Sequence, residues 1–254
     1  MTEYAIVNKR ATFRKLHESG YFILPNPWDV GSARRLAKMG FKALASTSAG
    51  AAWALGKEDG EMALDEVLEH LRQLCAATDL PVNADFEGGF ADDPDGVAVN
   101  VTLAVDTGIA GVSIEDRIGK DLYPLSLAVE RIQAARAAID ATGQDVLLVG
   151  RTENYVIGRT NINETIERLT AYSAAGADVL YAPWLTDVDE VRAVVAAVAP
   201  KPVNVLLHKP SVRVADLAAA GVRRFSTGAR LASAAWAGFE RAALSVRDNG
   251  HLPR

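Results

Sequence analysis

Short apolar runs recur along this chain, and each is followed by a longer stretch in which apolar residues return every three or four positions. The first run is Phe22 to Leu24, followed by a helix over Val30 to Lys38 that closes at Gly40. Runs of the same kind occupy Ala43 to Thr47, Val82 to Phe86, Gly111 to Glu115, Val146 to Arg151, Val179 to Ala182, Val203 to Leu207 and Arg224 to Thr227. Strand-length runs alternating with helical periodicity spell βα units, and here there are eight. Lys38-Met-Gly40, Thr107-Gly108, Ala175-Gly176 and Ala220-Gly221 precede strands where a helix must end in a left-handed cap. The run Ser126 to Ala141 gathers Leu127, Val129, Ile132, Ala135 and Ile139 near one face, the covering stripe of a barrel helix.

Eight units with no GxGxxG after the first strand favour a closed (β/α)8 barrel, the TIM barrel, over an open doubly wound sheet. No linker or low-complexity segment divides the chain, so residues 1–254 are expected to form a single domain. The final predicted helix, Ala229 to Val246, is long and rich in Ala. It suits either the eighth barrel helix or a face packed against a neighbour.

Composition narrows the class. With 49% hydrophobic and 23% charged residues the chain can bury a sizeable core. The net charge of -5 is mild and Lys and Arg are scattered, which argues against nucleic acid and points to a small-molecule partner. Cys75, the only cysteine, lies in a helix-like run from Leu64 to Thr78, so neither a disulfide nor a Cys-rich zinc site can form within the chain. No apolar stretch suits a signal peptide or approaches eighteen residues, and the expectation is a soluble cytoplasmic protein without a membrane partner.

In such a barrel the active site lies at the C-terminal ends of the strands, and the residues there are acidic. The third strand ends Asn83-Ala-Asp85-Phe-Glu87-Gly-Gly, the fourth Ser113-Ile-Glu115-Asp116-Arg117, and the fifth Gly150-Arg151-Thr-Glu153-Asn154. Carboxylates crowded at one mouth repel one another unless a cation sits among them. Oxygen ligands without Cys or a nearby His favour a hard ion, Mg2+ first and Mn2+ as substitute. Asp85 has the alternative role of an edge or cap carboxylate. Arg151 can grip a substrate carboxylate bidentately or pair with Glu115 or Glu153. Ser46, Thr47 and Ser48 can offer hydroxyls and backbone N–H groups to an anionic end. Asn204 and His208, in and just after the seventh strand, join them as substrate contacts, His208 as a proton-transfer group or merely a loop histidine. Trp28 is expected on an apolar wall of the pocket, whereas Trp53, Trp184 and Trp236 are read as packing.

These segments together resemble the isocitrate lyase and phosphoenolpyruvate mutase superfamily. The likeness runs from Asn26-Pro-Trp-Asp-Val-Gly-Ser-Ala-Arg through Ala45-Ser-Thr-Ser-Ala-Gly, Leu55-Gly-Lys-Glu-Asp59-Gly, Asn83-Ala-Asp-Phe-Glu-Gly-Gly, Ser113-Ile-Glu-Asp and Gly150-Arg-Thr-Glu to Ser226-Thr-Gly. The resemblance implies a Mg2+ site of Asp85, Glu87 and Glu115, largely through water, with Arg151 and the Ser46 to Ser48 turn holding substrate carboxylates. It implies Asp59 on a mobile gating loop, catalytic roles for Arg151, Glu115 and Asp59, and a homotetramer that exchanges its eighth helices.

Two departures matter. Asn83 stands where the acidic run of better-known members has its first Asp, and the Lys-Cys-Gly-His type of loop is replaced by Arg117-Ile-Gly-Lys-Asp-Leu-Tyr-Pro. The branch implied is therefore oxaloacetate decarboxylase-like or phosphonomutase-like. The leading expectation is an Mg2+-dependent lyase or decarboxylase that stabilises the enolate of a 2-oxo acid, acting on a small 2-oxo or 2-hydroxy dicarboxylate. The alternatives are P–C chemistry on phosphonopyruvate or phosphoenolpyruvate and a non-catalytic 2-oxo acid binder.

Overall fold

The computed structural model of the chain describes residues 2–253. Its strands, in chain order, are β1 Phe22–Leu24, β2 Leu44–Ala45, β3 Val82–Asp85, β4 Gly111–Glu115, β5 Arg117–Ile118, β6 Asp121–Leu122, β7 Leu147–Arg151, β8 Val179–Tyr181, β9 Val203–Leu206 and β10 Arg224–Ser226. The helices are α1 Glu3–Leu16, α2 Val30–Lys38, α3 Ser48–Ala54, α4 Leu64–Ala77, α5 Pro94–Val105, α6 Leu125–Ala141, α7 Ile162–Ala174, α8 Val188–Val198, α9 Val214–Ala219 and α10 Arg230–Asn249.

Each of the eight expected runs contains a strand, and these strands form one eight-stranded sheet in the order β1-β10-β9-β8-β7-β4-β3-β2, all pairs parallel. The sheet nearly closes on itself. Across the gap between β1 and β2, the Ala45 N–H donates to Pro25 O at 3.1 Å and Asn26 Nδ2 donates to Ser46 O at 2.7 Å. Asn26 Oδ1 also accepts from the backbone N–H groups of Thr227 and Gly228, both at 2.9 Å, so one amide ties together the ends of three strands. The fold is a TIM barrel.

The helices end as the glycine punctuation predicts. Gly176 has φ 107°, a conformation costly for any residue with a Cβ, and a Cβ there would meet Arg136 Cγ at 2.6 Å. Gly111 serves packing instead: a Cβ there would lie 2.6 Å from Asn83 Oδ1 and 2.8 Å from Phe13 Cε1.

Two elements escape the sequence reading. The β5–β6 hairpin is antiparallel and follows β4 directly, in the stretch where the Cys-bearing loop is missing. The other is α1, which plugs the N-terminal end of the barrel. Its Phe13, wholly buried, packs with Phe22, Leu24, Ala43, Ala45, Ala110 and Leu147. Arg10 from the same helix donates to Ile109 O at 2.9 Å and Val105 O at 2.8 Å, and Lys9 Nζ to Cys75 O at 2.7 Å. The predicted final helix starts one residue late and runs three residues further, to Asn249. Of its described residues only Ala232 is buried, while Trp236, Phe239, Leu244 and Val246 are exposed. No helix among the described residues is long and apolar enough to cross a membrane.

Candidate active site

A cavity of about 400 Å³ opens at the C-terminal ends of the strands. Period-two alternation aims Asp85, Arg151, Tyr181 and Ser226 into it from the ends of their strands, whereas the predicted Glu87 and Glu115 are not on its lining, and Glu115 lies against Arg151. Arg151 organises the acidic side. Its Nη1 lies 3.0 Å from Asp85 Oδ1, Nη2 3.2 Å from Glu115 Oε2 and Nε 2.5 Å from Glu153 Oε1. Burial alone would lower the Arg151 pKa, but Glu153, Glu115 and Asp85 hold it well above the ordinary value. The expected ion pairs with Glu115 and Glu153 therefore form, and Asp85 joins them.

One guanidinium does not balance its surroundings. Burial first, then the charges of Asp85 and Asp59, push the Glu87 pKa up to about 7 against the pull of Arg151. Burial likewise raises Glu115 well above the ordinary carboxylate range; Arg151 opposes this, and Glu153, Asp85 and Glu87 add to it. Asp59, on the loop between α3 and α4, is raised by burial and by Asp85, against a hydrogen bond with Ser48. Glu87 has φ 47°, so the chain has already turned away from the strand when it places this carboxylate. No group of three or more His, Cys, Asp or Glu side chains converges tightly enough to cage a metal directly, among the described residues.

The Ser46–Ser48 turn faces Asp85. The Asp85 N–H donates to Ser46 Oγ at 2.8 Å, and the Ser48 N–H donates to Asp85 Oδ2 at 3.1 Å. Thr47 spends its hydroxyl as the N-cap of α3, accepting from the Gly50 N–H at 3.3 Å. All three residues line the cavity, as do Asp59 and Asn204. Asn204 Nδ2 donates to Ser226 Oγ at 2.9 Å.

Trp28 is not on the cavity wall. Its backbone N–H donates to Ser32 Oγ in the cap of α2, and its Cβ sits behind Gly50, where an added Cβ would meet it at 3.0 Å. Trp53 and Trp184 line the cavity instead. His208 is not on the lining either; it stacks on Trp184 with centroids 5.8 Å apart, and burial lowers its pKa. The sequence reading passed over Arg117, Tyr181 and Arg224, which also line the cavity. Tyr181 and Arg224 occupy inward-facing places on short strands, a signal that alternation carried.

Behind Glu153 is a buried support. Its N–H donates to Asp116 Oδ1 at 2.8 Å, and Asp116 Oδ2 accepts from Tyr172 Oη at 2.5 Å and Arg168 Nη1 at 3.2 Å. Buried side chains locked in this way fix the carboxylate that positions Arg151.

Comparison with known proteins agrees with this geometry. The family profile of phosphoenolpyruvate phosphomutase matches residues 13–247. The chain belongs to that family. A solved structure from Burkholderia cenocepacia J2315, described only at the level of lyase/mutase, superposes with a TM-score of 0.95 at 46% identity, covering 98% of this chain and 91% of that one. An uncharacterized protein of Mycobacterium tuberculosis is 34% identical over 245 residues, 96% of this chain and 92% of its own. Oxaloacetate decarboxylase of Rhodopseudomonas palustris BisA53 is 30% identical over 264 residues, 97% of this chain and 87% of its own. Other family relatives include 2-methylisocitrate lyase, oxaloacetate acetylhydrolase and 2,3-dimethylmalate lyase. Lyases and decarboxylases of small dicarboxylates thus surround this chain.

Proposed function

We propose that the chain is a Mg2+-dependent lyase or decarboxylase that converts a small 2-oxo or 2-hydroxy dicarboxylate through the enolate of a 2-oxo acid, with Mn2+ able to replace Mg2+. The observation that carries this reading is the crowding of Asp59, Asp85, Glu87, Glu115 and Glu153 around Arg151; burial first, and the neighbouring carboxylates after it, raise the pKa of Asp59, Glu87 and Glu115, and a cation would relieve the excess negative charge. Asp85, Glu87 and Glu115 would hold the ion, largely through water. When bound, Mg2+ neutralises charge that develops on the keto oxygen.

The remaining roles fall to the chain itself. Three of the five Arg151 N–H donors face carboxylates, which leaves two for a substrate carboxylate. The hydroxyls and N–H groups of Ser46 to Ser48 line the same cavity and orient the ligand. Asp59 closes over the site with its loop and excludes water, protecting an enolate from stray protonation. Glu115 orients reacting groups from beneath. Oxaloacetate decarboxylase among the relatives supports C–C rather than P–C cleavage, and the short hairpin in place of a Cys-bearing loop argues against isocitrate and methylisocitrate as good substrates.

A turnover screen with Mg2+ over oxaloacetate, dimethylmalate, methylisocitrate, phosphonopyruvate and phosphoenolpyruvate, read by pyruvate formation and, for the last two, by phosphorus NMR of their interconversion, tests the reading. Turnover of oxaloacetate or a related dicarboxylate is the expected result. Turnover confined to the phosphonate and phosphoenol compounds would move the chain to P–C chemistry, and oxalate binding without turnover would make it a binder.

A further inference from the structure

Four arginines are buried among the described residues, and in three of them both terminal nitrogens, or a carboxylate partner, are engaged, although Arg131 Nε is buried without a partner. Arg10 donates to the carbonyls of Val105 and Ile109 and to Gln144. Arg131 donates to the carbonyls of Gly88, Ala91 and Asp92. Arg168 pairs with Asp116 and Glu164. Arg224 differs in its terminal nitrogens: it is only 3% exposed, its Nε donates to Asn204 Oδ1 at 3.1 Å, and its Nη1 is buried with no hydrogen-bond partner.

No carboxylate forms an ion pair with Arg224 among the described residues. Burial drives its pKa down to about 9, with only the Tyr181 phenol opposing. A buried cation without a counter-charge is costly; Arg10 and Arg131, which also lack a carboxylate partner, offset that cost with backbone carbonyls, and among the described residues no backbone carbonyl bonds Arg224. Arg224 lines the cavity two residues before Ser226 on β10, and its guanidinium lies 5.8 Å from the centroid of the Phe13 ring of the α1 plug, toward the closed end of the barrel. Asn83 Oδ1, on another lining residue, is likewise buried without a partner. The lining of the same cavity mixes apolar Ala45 and Leu206 with polar Ser113, Asn204 and Ser226.

We propose that the floor of the cavity is a second anion subsite, in which Arg224 receives the far carboxylate of a four-carbon dicarboxylate whose 2-oxo or 2-hydroxy acid end is held at the Arg151 rim. The subsite deepens the function proposed above and rests on it. Arg224, steadied by Asn204, sets the length and the second charge of the substrate, while Asn83 Oδ1 accepts a hydrogen bond from water or from a hydroxyl on the ligand. Oxalate, whose two carboxylates are directly bonded and which is too short to span the cavity, uses the rim alone.

Calorimetry on the full chain with Mg2+ present separates the two levels, with oxalate, malate and the C4 amide of malate as probes. The wild type should bind malate about 10- to 100-fold more tightly than its C4 amide, the weight of a charge-assisted contact. In Arg224→Gln that ratio should fall to near one while oxalate affinity changes less than about twofold, and Arg224→Lys should recover part of the preference. A ratio near one in the wild type overturns the subsite whether or not the variants fold. The wild-type ratio persisting in folded Arg224→Gln overturns it as well. Failure of the wild type to bind oxalate overturns the functional reading beneath it, whereas oxalate binding without a preference for malate removes the subsite alone.

Discussion

Arg151 illustrates how one residue can be both scaffold and substrate contact. Its planar fork meets Asp85, Glu115 and Glu153 along separate directions, which a flexible ammonium cannot reproduce. Arg151→Lys should keep the charge and the fold but weaken oxalate binding by about 1–3 kcal/mol, or roughly 10- to 100-fold, measured by calorimetry. Equal affinity in the two proteins would remove the residue from substrate binding. Asp85 bridges Arg151 and the Ser48 N–H, so it stands at the junction of guanidinium, turn and proposed cation. Asp85→Ala should weaken Mg2+ binding severely, and unchanged Mg2+ affinity in both Asp85→Ala and Glu87→Ala would show that the ion is not held there. Glu115→Gln should slow turnover at least about 100-fold, because it removes a charge that orients the groups around it.

Among the elements, α1 and α4 show that one end of the barrel is devoted to stability. Cys75 lies on α4, wholly buried, its thiol pushed up to about 12 by burial despite Lys9 and Arg10, and its carbonyl is held by Lys9 from the plug. It has neither the position nor the ionisation of a catalytic acid, so Cys75→Ser should leave turnover per folded molecule within experimental error. His17, just after α1, packs edge-on to Phe13 and Phe22 at 4.7 and 4.9 Å and is lowered to about 3, mainly by burial and next by Arg224. The unfolded chain takes up this proton near the ordinary value of 6.5, before the folded one does. The stability associated with neutral His17 is therefore complete above pH 6.5 and is lost progressively as pH falls toward about 3. His70, lowered to about 4 by burial, has the same sign. His17→Phe should accordingly lose less melting temperature than the wild type between pH 7 and pH 4.5, as scanning calorimetry would show; equal losses would mean that His17 is not buried in its neutral form.

At the scale of the molecule, α10 is the element with the most exposed apolar surface: of its described residues only Ala232 is buried. Trp236 and Phe239 meet edge to face at 5.8 Å on an exposed face, as a helix packed against another subunit would present them. If the family's homotetramer with exchanged helices forms here, Trp236→Glu with Phe239→Glu should yield a smaller species by light scattering, and an unchanged mass would place the interface elsewhere. Much of this architecture was legible beforehand: eight strands, the left-handed glycine stops and the acidic strand ends follow from period-two and period-3.6 patterning, which is local in sequence. Asp85, Glu115 and Arg151 were findable for the same reason, because a polar residue ending an apolar strand must face the mouth. Other features depended on contacts between residues distant in the chain. The α1 plug carries apolar residues sparse enough to pass for a polar tail until Phe13 meets Phe22 and Leu147 inside the barrel. Trp28 lies outside the cavity because the cap of α2 turns it away, while Trp53 enters from the short helix α3 and Trp184 from the turn after β8, placements that periodicity does not encode. Patterning puts Arg224 on an inward face, but only the closed barrel, by collecting the side chains of eight strands, decides that no carboxylate reaches it.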